Sequence, residues 1–147
     1  MEPLVHVVVP FVALMLMGVQ AKRALPISLV ALLPDLDALF LVHRSVSHSI
    51  LVVLIFMAPF LLLTHMVKPR FRGYALLALM AAGAHLVSDL FSGYTPILWP
   101  LYSQSVWIQT ELVTHIGSSP SFMPSARLLT KPTTFQQFQS LDAPLFT

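Results

Sequence analysis

Three long stretches of this chain carry no formal charge, and they limit its fold more than any other feature. Residues 3–21 hold none, nor do the residues between Arg44 and Lys68, nor residues 73–88. A helix that crosses a bilayer needs about 20 predominantly apolar residues, within a range of about 17–25. The three runs meet that length, the last when extended to Phe91. None alternates with period 2, which argues against barrel strands. Apolar residues make up 56% of the 147, charged residues only 10%, and the mean hydropathy is +0.81. A soluble domain of this size needs about a quarter of its residues charged, so the outer surface is expected to face lipid. A net charge of +2 excludes a charge-driven nucleic-acid binder, and no nucleic-acid partner is expected. With no cysteine, disulfides and thiolate metal sites are excluded.

Residues 24–42, ALPISLVALLPDLDALFLV, have spanning length but contain Pro34, Asp35 and Asp37. The regular part of this segment is expected to end near Pro34, with PDLD as irregular backbone facing protein or water. The fold class expected is therefore an all-α, multi-pass transmembrane bundle of about four spanning helices. Three spans with a re-entrant 24–42 is the alternative. Residues 1–21 lack the basic start of a signal peptide and carry Glu2, so they are expected to stay as a span. Residues 1–102 form the expected membrane-embedded domain. Residues 103–147, nearly half of them Ser, Thr, Gln or Pro, form an expected extramembrane part. Residues 97–113, with two Trp and a Tyr, suit an interfacial segment, and a weakly ordered tail is expected beyond Gly117.

Lys22 and Arg23 follow the first run, and Lys68, Arg70 and Arg72 follow the third. The positive-inside rule makes that side cytoplasmic in a plasma (inner) membrane. Four spans then place His6, Asp35, Asp37, His43, His48, His85 and Asp89 toward the extracytoplasmic face. His85 and Asp89 are four apart on an expected helix and share a face. His43 and His48 bracket a polar RSVS turn. Nitrogen and oxygen donors without sulfur suit a divalent metal: Zn first, with Mn or Fe(II) taking the same donors. His65 and His115 fall outside the group.

LLPDLD (32–37), HRSVSHS (43–49) and GAHLVSDLFSGYTPILWP (83–100) resemble the membrane-bound metal-dependent hydrolase family typified by the bacterial YdjM proteins. His6 matches the family's early histidine. The resemblance covers roughly residues 1–102 and extends, more distantly, to zinc-dependent phospholipase C and P1-type nucleases. It implies His6, Asp35 or Asp37, His43, His48, His85 and Asp89 as metal ligands. Ser45 and Ser47 stand where family members often have Gly and Thr. Glu111 and His115 have the reverse order of a third-metal pair, which argues against a three-metal site.

The function expected is a membrane-bound metal-dependent hydrolase. A metal-activated water would attack an ester or phosphoester of an amphiphilic, lipid-like substrate. Asp35 or Asp37 serves as ligand or general base, and Arg44 holds a substrate phosphate or carboxylate. Ser45, Ser47, Ser49 and Ser88 are candidates for polar support. The alternatives are a metal-binding transporter, a haem-binding subunit using His6 and His85, and a membrane partner protein whose catalytic site has decayed. The bilayer is the expected partner; the sequence names no protein partner.

Overall fold

A computed structural model describes residues 3–42, 44–115, 121–135 and 137. Its regular helices are α1 (Pro3–Leu16), α2 (Ala21–Ser28), α3 (Ile50–Met66) and α4 (Arg72–Ser92). Two antiparallel strands follow, β1 (Gln104–His115) and β2 (Ser121–Pro132), paired from Gln104↔Pro132 to His115↔Ser121. Short 3-10 segments fill the connections at Leu29–Leu32, Pro34–Phe40, Val46–His48 and Pro69–Phe71.

The centre of the molecule is α4. Its inward stripe reads Ala81, Ala82, His85, Leu86 and Asp89, the 3- and 4-residue spacing of one helix face. The first half of that stripe is apolar and small. Ala81 packs with Leu14, Ala24, Ile27 and Ala31, and Ala82 and Leu86 pack with Val53 and Met57. Alanine at these positions lets helix backbones approach closely. The second half is polar. Helix α1 mirrors the pattern, burying His6, Pro10 and Leu14 at four-residue intervals. Leu14 meets the Ala81 end of α4 and His6 meets the His85 end, so the two helices run antiparallel. One end of the bundle is thereby an apolar core, and the other gathers imidazoles and carboxylates.

The expected four-span, all-α bundle is corrected in two respects. Among the described residues, only the helical stretch Pro69–Ser92 is long and apolar enough to cross a membrane. The 21 residues of α4 rise about 32 Å, against about 30 Å of bilayer hydrocarbon. The α1 and α3 runs are apolar but give helices of 14 and 17 residues. Segment 24–42 keeps α geometry only to Ser28. Pro26 lacks an N–H for the ladder, and the Ser28 hydroxyl donates back to the Leu25 carbonyl at 2.8 Å. The chain continues in 3-10 turns.

The second correction concerns the C-terminal part. Residues 104–115 form a strand, and Ser121–Pro132 is its partner rather than part of a weakly ordered tail. Val106, Trp107, Ile108, Thr110, Val113 and Thr114 carry the β-branched and aromatic bias of a strand. The hairpin is fastened at its base. Thr95 and Val106 exchange backbone hydrogen bonds of 2.8 and 2.9 Å, and the Trp107 indole donates to the Phe91 carbonyl at 3.2 Å.

Outward faces of α1 and α3 expose Val8, Val12, Ile55, Phe56 and Phe60, a surface suited to lipid rather than water. The close packing around α4 yields a prediction. Ala82→Leu forces extra volume against Val53, Met57 and Leu86, at a cost of about 1–3 kcal/mol. Thermal unfolding in detergent should drop by several degrees, whereas Val87→Ala on the exposed face should shift it by about 1 °C or less. Equal midpoints for the two variants would contradict the packing described.

Candidate metal centre

Four elements supply the polar end. Helix α1 contributes His6. The Pro34–Phe40 turn contributes Asp35 and Asp37, the turn before α3 contributes His48, and α4 contributes His85 and Asp89. His48 and His85 are fully buried, Asp89 is 1% exposed, and His6, Asp37 and Asp35 are 4–9% exposed. In the 3-10 turn, residues three apart eclipse. Pro34 and Asp37 therefore share the inner side with Asp35 beside them, while Leu36 and Leu39 share the outer side and are exposed.

Donor atoms crowd together in two groups that share His85, one of Asp35, His48 and His85 and one of His6, His85 and Asp89, the donors of each lying within 4.8 Å of one another. His48 Nε2 lies 3.3 Å from His85 Nε2, 3.4 Å from Asp35 Oδ1 and 3.1 Å from Asp89 Oδ2. His85 Nε2 lies 3.7 Å from Asp35 Oδ1 and 3.4 Å from Asp89 Oδ2. A tetrahedral site with bonds of about 2.0–2.2 Å has ligand-to-ligand edges of about 3.3–3.6 Å. The measured separations cluster around that value. The residues present therefore fit a divalent cation, and these buried His and Asp groups could bind one.

The two aspartates of PDLD do different things. Asp35 faces the Nε2 side of His48, whereas Asp37 sits behind that ring, its Oδ2 3.3 Å from Nδ1. Asp37 Oδ2 also accepts the Ser45 backbone N–H at 2.9 Å and the Ser47 hydroxyl at 3.0 Å. This carboxylate orients the imidazole and holds the polar loop. Of the serines considered for support, Ser45 and Ser47 act on Asp37. Ser49 caps α3 by accepting the Leu51 N–H at 3.2 Å and donates to the Trp99 carbonyl. Ser88 bonds only within its own helix, to the Ala84 carbonyl. The ILWP segment is pinned across the start of α3 by that Ser49 bond and by Ile50 N–H to the Ile97 carbonyl at 3.0 Å.

His6 approaches from the other side of Asp89. Its Nε2 is 3.4 Å from Asp89 Oδ1, and its ring centroid is 4.0 Å from that of His85. Arg44 Nη2 reaches the same Oδ1 at 3.2 Å. His43 lies outside the described residues. His65 falls in the last turn of α3, away from this group.

Electrostatics explain what the cluster lacks. Three buried carboxylates face a single fixed cation, Arg44, among the described residues. Burial pushes the Asp35 and Asp37 carboxyls up more than any one neighbour pulls them down, yet the bond to His48 together with the other partners holds both below the ordinary carboxylate range. The nearby charge of His85 adds at Asp35, and the Ser45 N–H adds at Asp37. Burial would push the His48 imidazole down, but bonds to Asp35, Asp37 and Asp89 raise it to about 10. The site attracts positive charge strongly, and without a metal a proton on His48 supplies it. Oδ1 of Asp37 and Nδ1 of His6 and His85 find no hydrogen-bond partner among the described residues.

Sequence reasoning passed over Gly93. A Cβ built there would collide with the Arg44 guanidinium, so the glycine makes room for the arm that reaches Asp89. The backbone at Gly93 is extended, which leaves that contact as the reason. Gly93→Ala pushes the flexible end of Arg44 off Asp89 and should cost about 1 kcal/mol or less in the wild type and about nothing in an Arg44→Ala background. A thermal double-mutant cycle measures this, and additive costs would contradict the contact.

Comparison with known proteins places the chain. No curated protein and no solved structure matches it, so the more distant similarity to phospholipase C and P1 nuclease rests on the sequence motifs alone. A family model does match, described as YdjM inner membrane protein, and it runs from residue 1 to residue 130. The match takes in every residue of the polar cluster, all of β1 and most of β2. With this extent of agreement, the chain belongs to the YdjM family of inner membrane proteins.

Proposed function

We propose that the chain is a membrane-embedded metal-dependent hydrolase with a single divalent metal, Zn first among the candidates. The observation that carries this reading is the spacing of 3.1–3.4 Å among the His48, His85 and Asp89 donor atoms inside a buried site, with Asp35 beside both imidazoles. A metal bound there would lower the pKa of a water and polarise an ester or phosphoryl oxygen. His48 and His85 would hold the metal through Nε2 and Asp89 through Oδ2, which leaves the fourth tetrahedral position to water. Asp37 is a positioning residue that fixes His48 through Nδ1. Asp35, whose Oδ1 lies 3.4 and 3.7 Å from the two imidazole nitrogens, would take the proton of that water. His6 and Arg44 share Asp89 Oδ1 and fix that carboxylate's orientation. Arg44 is partly exposed, and its planar guanidinium suits a phosphate or carboxylate of the substrate.

The membrane setting supports an amphiphilic substrate presented at headgroup depth. By the positive-inside rule, the basic end of α4 lies in the cytoplasm and the cluster faces the opposite side.

Metal analysis of the purified chain tests this reading. The wild type should carry about one Zn or Mn per chain, and His85→Ala and Asp89→Ala should carry almost none. Asp37→Asn should keep one metal but bind it about 10–100-fold more weakly, as expected for a residue behind the ligand. Bis(p-nitrophenyl) phosphate hydrolysis should follow metal content and vanish with chelator. Metal content near zero in all four proteins would remove the metal site. Full metal loading with no hydrolysis of phosphodiester or lipid esters would remove the hydrolase.

A further inference from the structure

At the other end of α4 the chain gathers Lys22, Arg23, Lys68, Arg70 and Arg72. Among the described residues no carboxylate pairs with any of them. Asp35, Asp37 and Asp89 are engaged in the polar cluster, and Asp89 lies about 25 Å along α4 from Arg72. A cavity of about 360 Å³ opens at this basic end, between the α1–α2 turn and the start of α4. Arg23 and Arg70 stand on its walls, with Val19, Tyr74 and Leu77 lining it. The Arg23 guanidinium lies 6.0 Å over the Tyr74 ring and that of Arg70 lies 4.8 Å over Phe71. Both retain donors for an oxyanion. Gly73 also lines the cavity, and a Cβ there meets nothing within 4 Å. Leu16 and Met17, just before the α1–α2 turn, are exposed and apolar.

We propose that this cavity binds the headgroup of one anionic phospholipid. Its phosphate lies between Arg23 and Arg70, and its acyl chains run along the exposed apolar surface at the end of α1. Uncompensated positive charge, a mixed lining that sets Val19, Tyr74 and Leu77 beside Arg23, Arg70 and Gln20, and the position at one end of a helix of membrane-crossing length each match that ligand. A freely soluble anion would use the guanidiniums and leave the apolar surface without a role. The inference is independent of the metal site.

Native mass spectrometry of the full chain in detergent, with dioleoyl phosphatidylglycerol or dioleoyl phosphatidylcholine added, tests it. The wild type should retain one phosphatidylglycerol, in preference to phosphatidylcholine by about tenfold. Arg23→Ala with Arg70→Ala should abolish the preference. Lys22→Ala with Lys68→Ala removes the same charge outside the cavity and should keep it. Gly73→Leu, which fills the cavity and favours helix, should lose the lipid with every charge intact. Millimolar inorganic phosphate should leave the lipid bound. An equal loss in both double variants, retention by Gly73→Leu, or displacement by inorganic phosphate would overturn the proposal, as would a wild type without preference.

Discussion

Three carboxylates buried beside one another set the problem that the polar end of this molecule solves. Removing an ion from water costs several kcal/mol even after relaxation, and like charges add to that. Asp35, Asp37 and Asp89 are tolerable together only because imidazoles, a guanidinium and backbone N–H groups surround them. The irregular parts of the fold serve this end. The 3-10 turn after Pro34 aims two aspartates inward, the serine-rich loop before α3 grips Asp37, and Gly93 admits Arg44. One site then explains features scattered over some 90 residues of sequence.

The balance of charge within the cluster gives it a direction. Asp37 is neutralised locally by His48 and the loop donors, and Arg44 offsets part of Asp89. The remaining negative charge faces the Nε2 atoms of two imidazoles 3.3 Å apart. Inside protein, such an arrangement draws in a cation, whether a proton on His48 or a metal among these donors. On the far oxygen of Asp89 lie Arg44 and His6, the latter a donor of the second group with His85 and Asp89.

Much of the site was legible from the sequence because helical geometry is periodic. His85 and Asp89, four apart, had to share a face of α4, and they do. The roles of Asp35 and Asp37 were not separable, since a two-residue step says little until the turn type is known. In the 3-10 turn the pair divides, Asp35 to the centre and Asp37 to the back of His48. Gly93 gave no signal, because its purpose is a contact with Arg44, 49 positions earlier. Run length overstated the number of spanning helices. Residues 17–20 and 29–33 lengthen their uncharged runs but do not continue the regular helix. The hairpin was readable in the β-branched residues 106–114, but the Trp and Tyr nearby suggested an interface.

The molecule is polarised along α4, with imidazoles and carboxylates at one end and unpaired basic residues at the other. The family match fits that division to an inner-membrane setting. The central claim is that His48, His85 and Asp89 hold one divalent ion. X-ray absorption at the edge of Zn bound to the purified chain tests it most directly. The account predicts four nitrogen or oxygen ligands at about 2.0–2.1 Å, with outer-shell scattering from two imidazoles. A six-coordinate shell without imidazole scattering would contradict it.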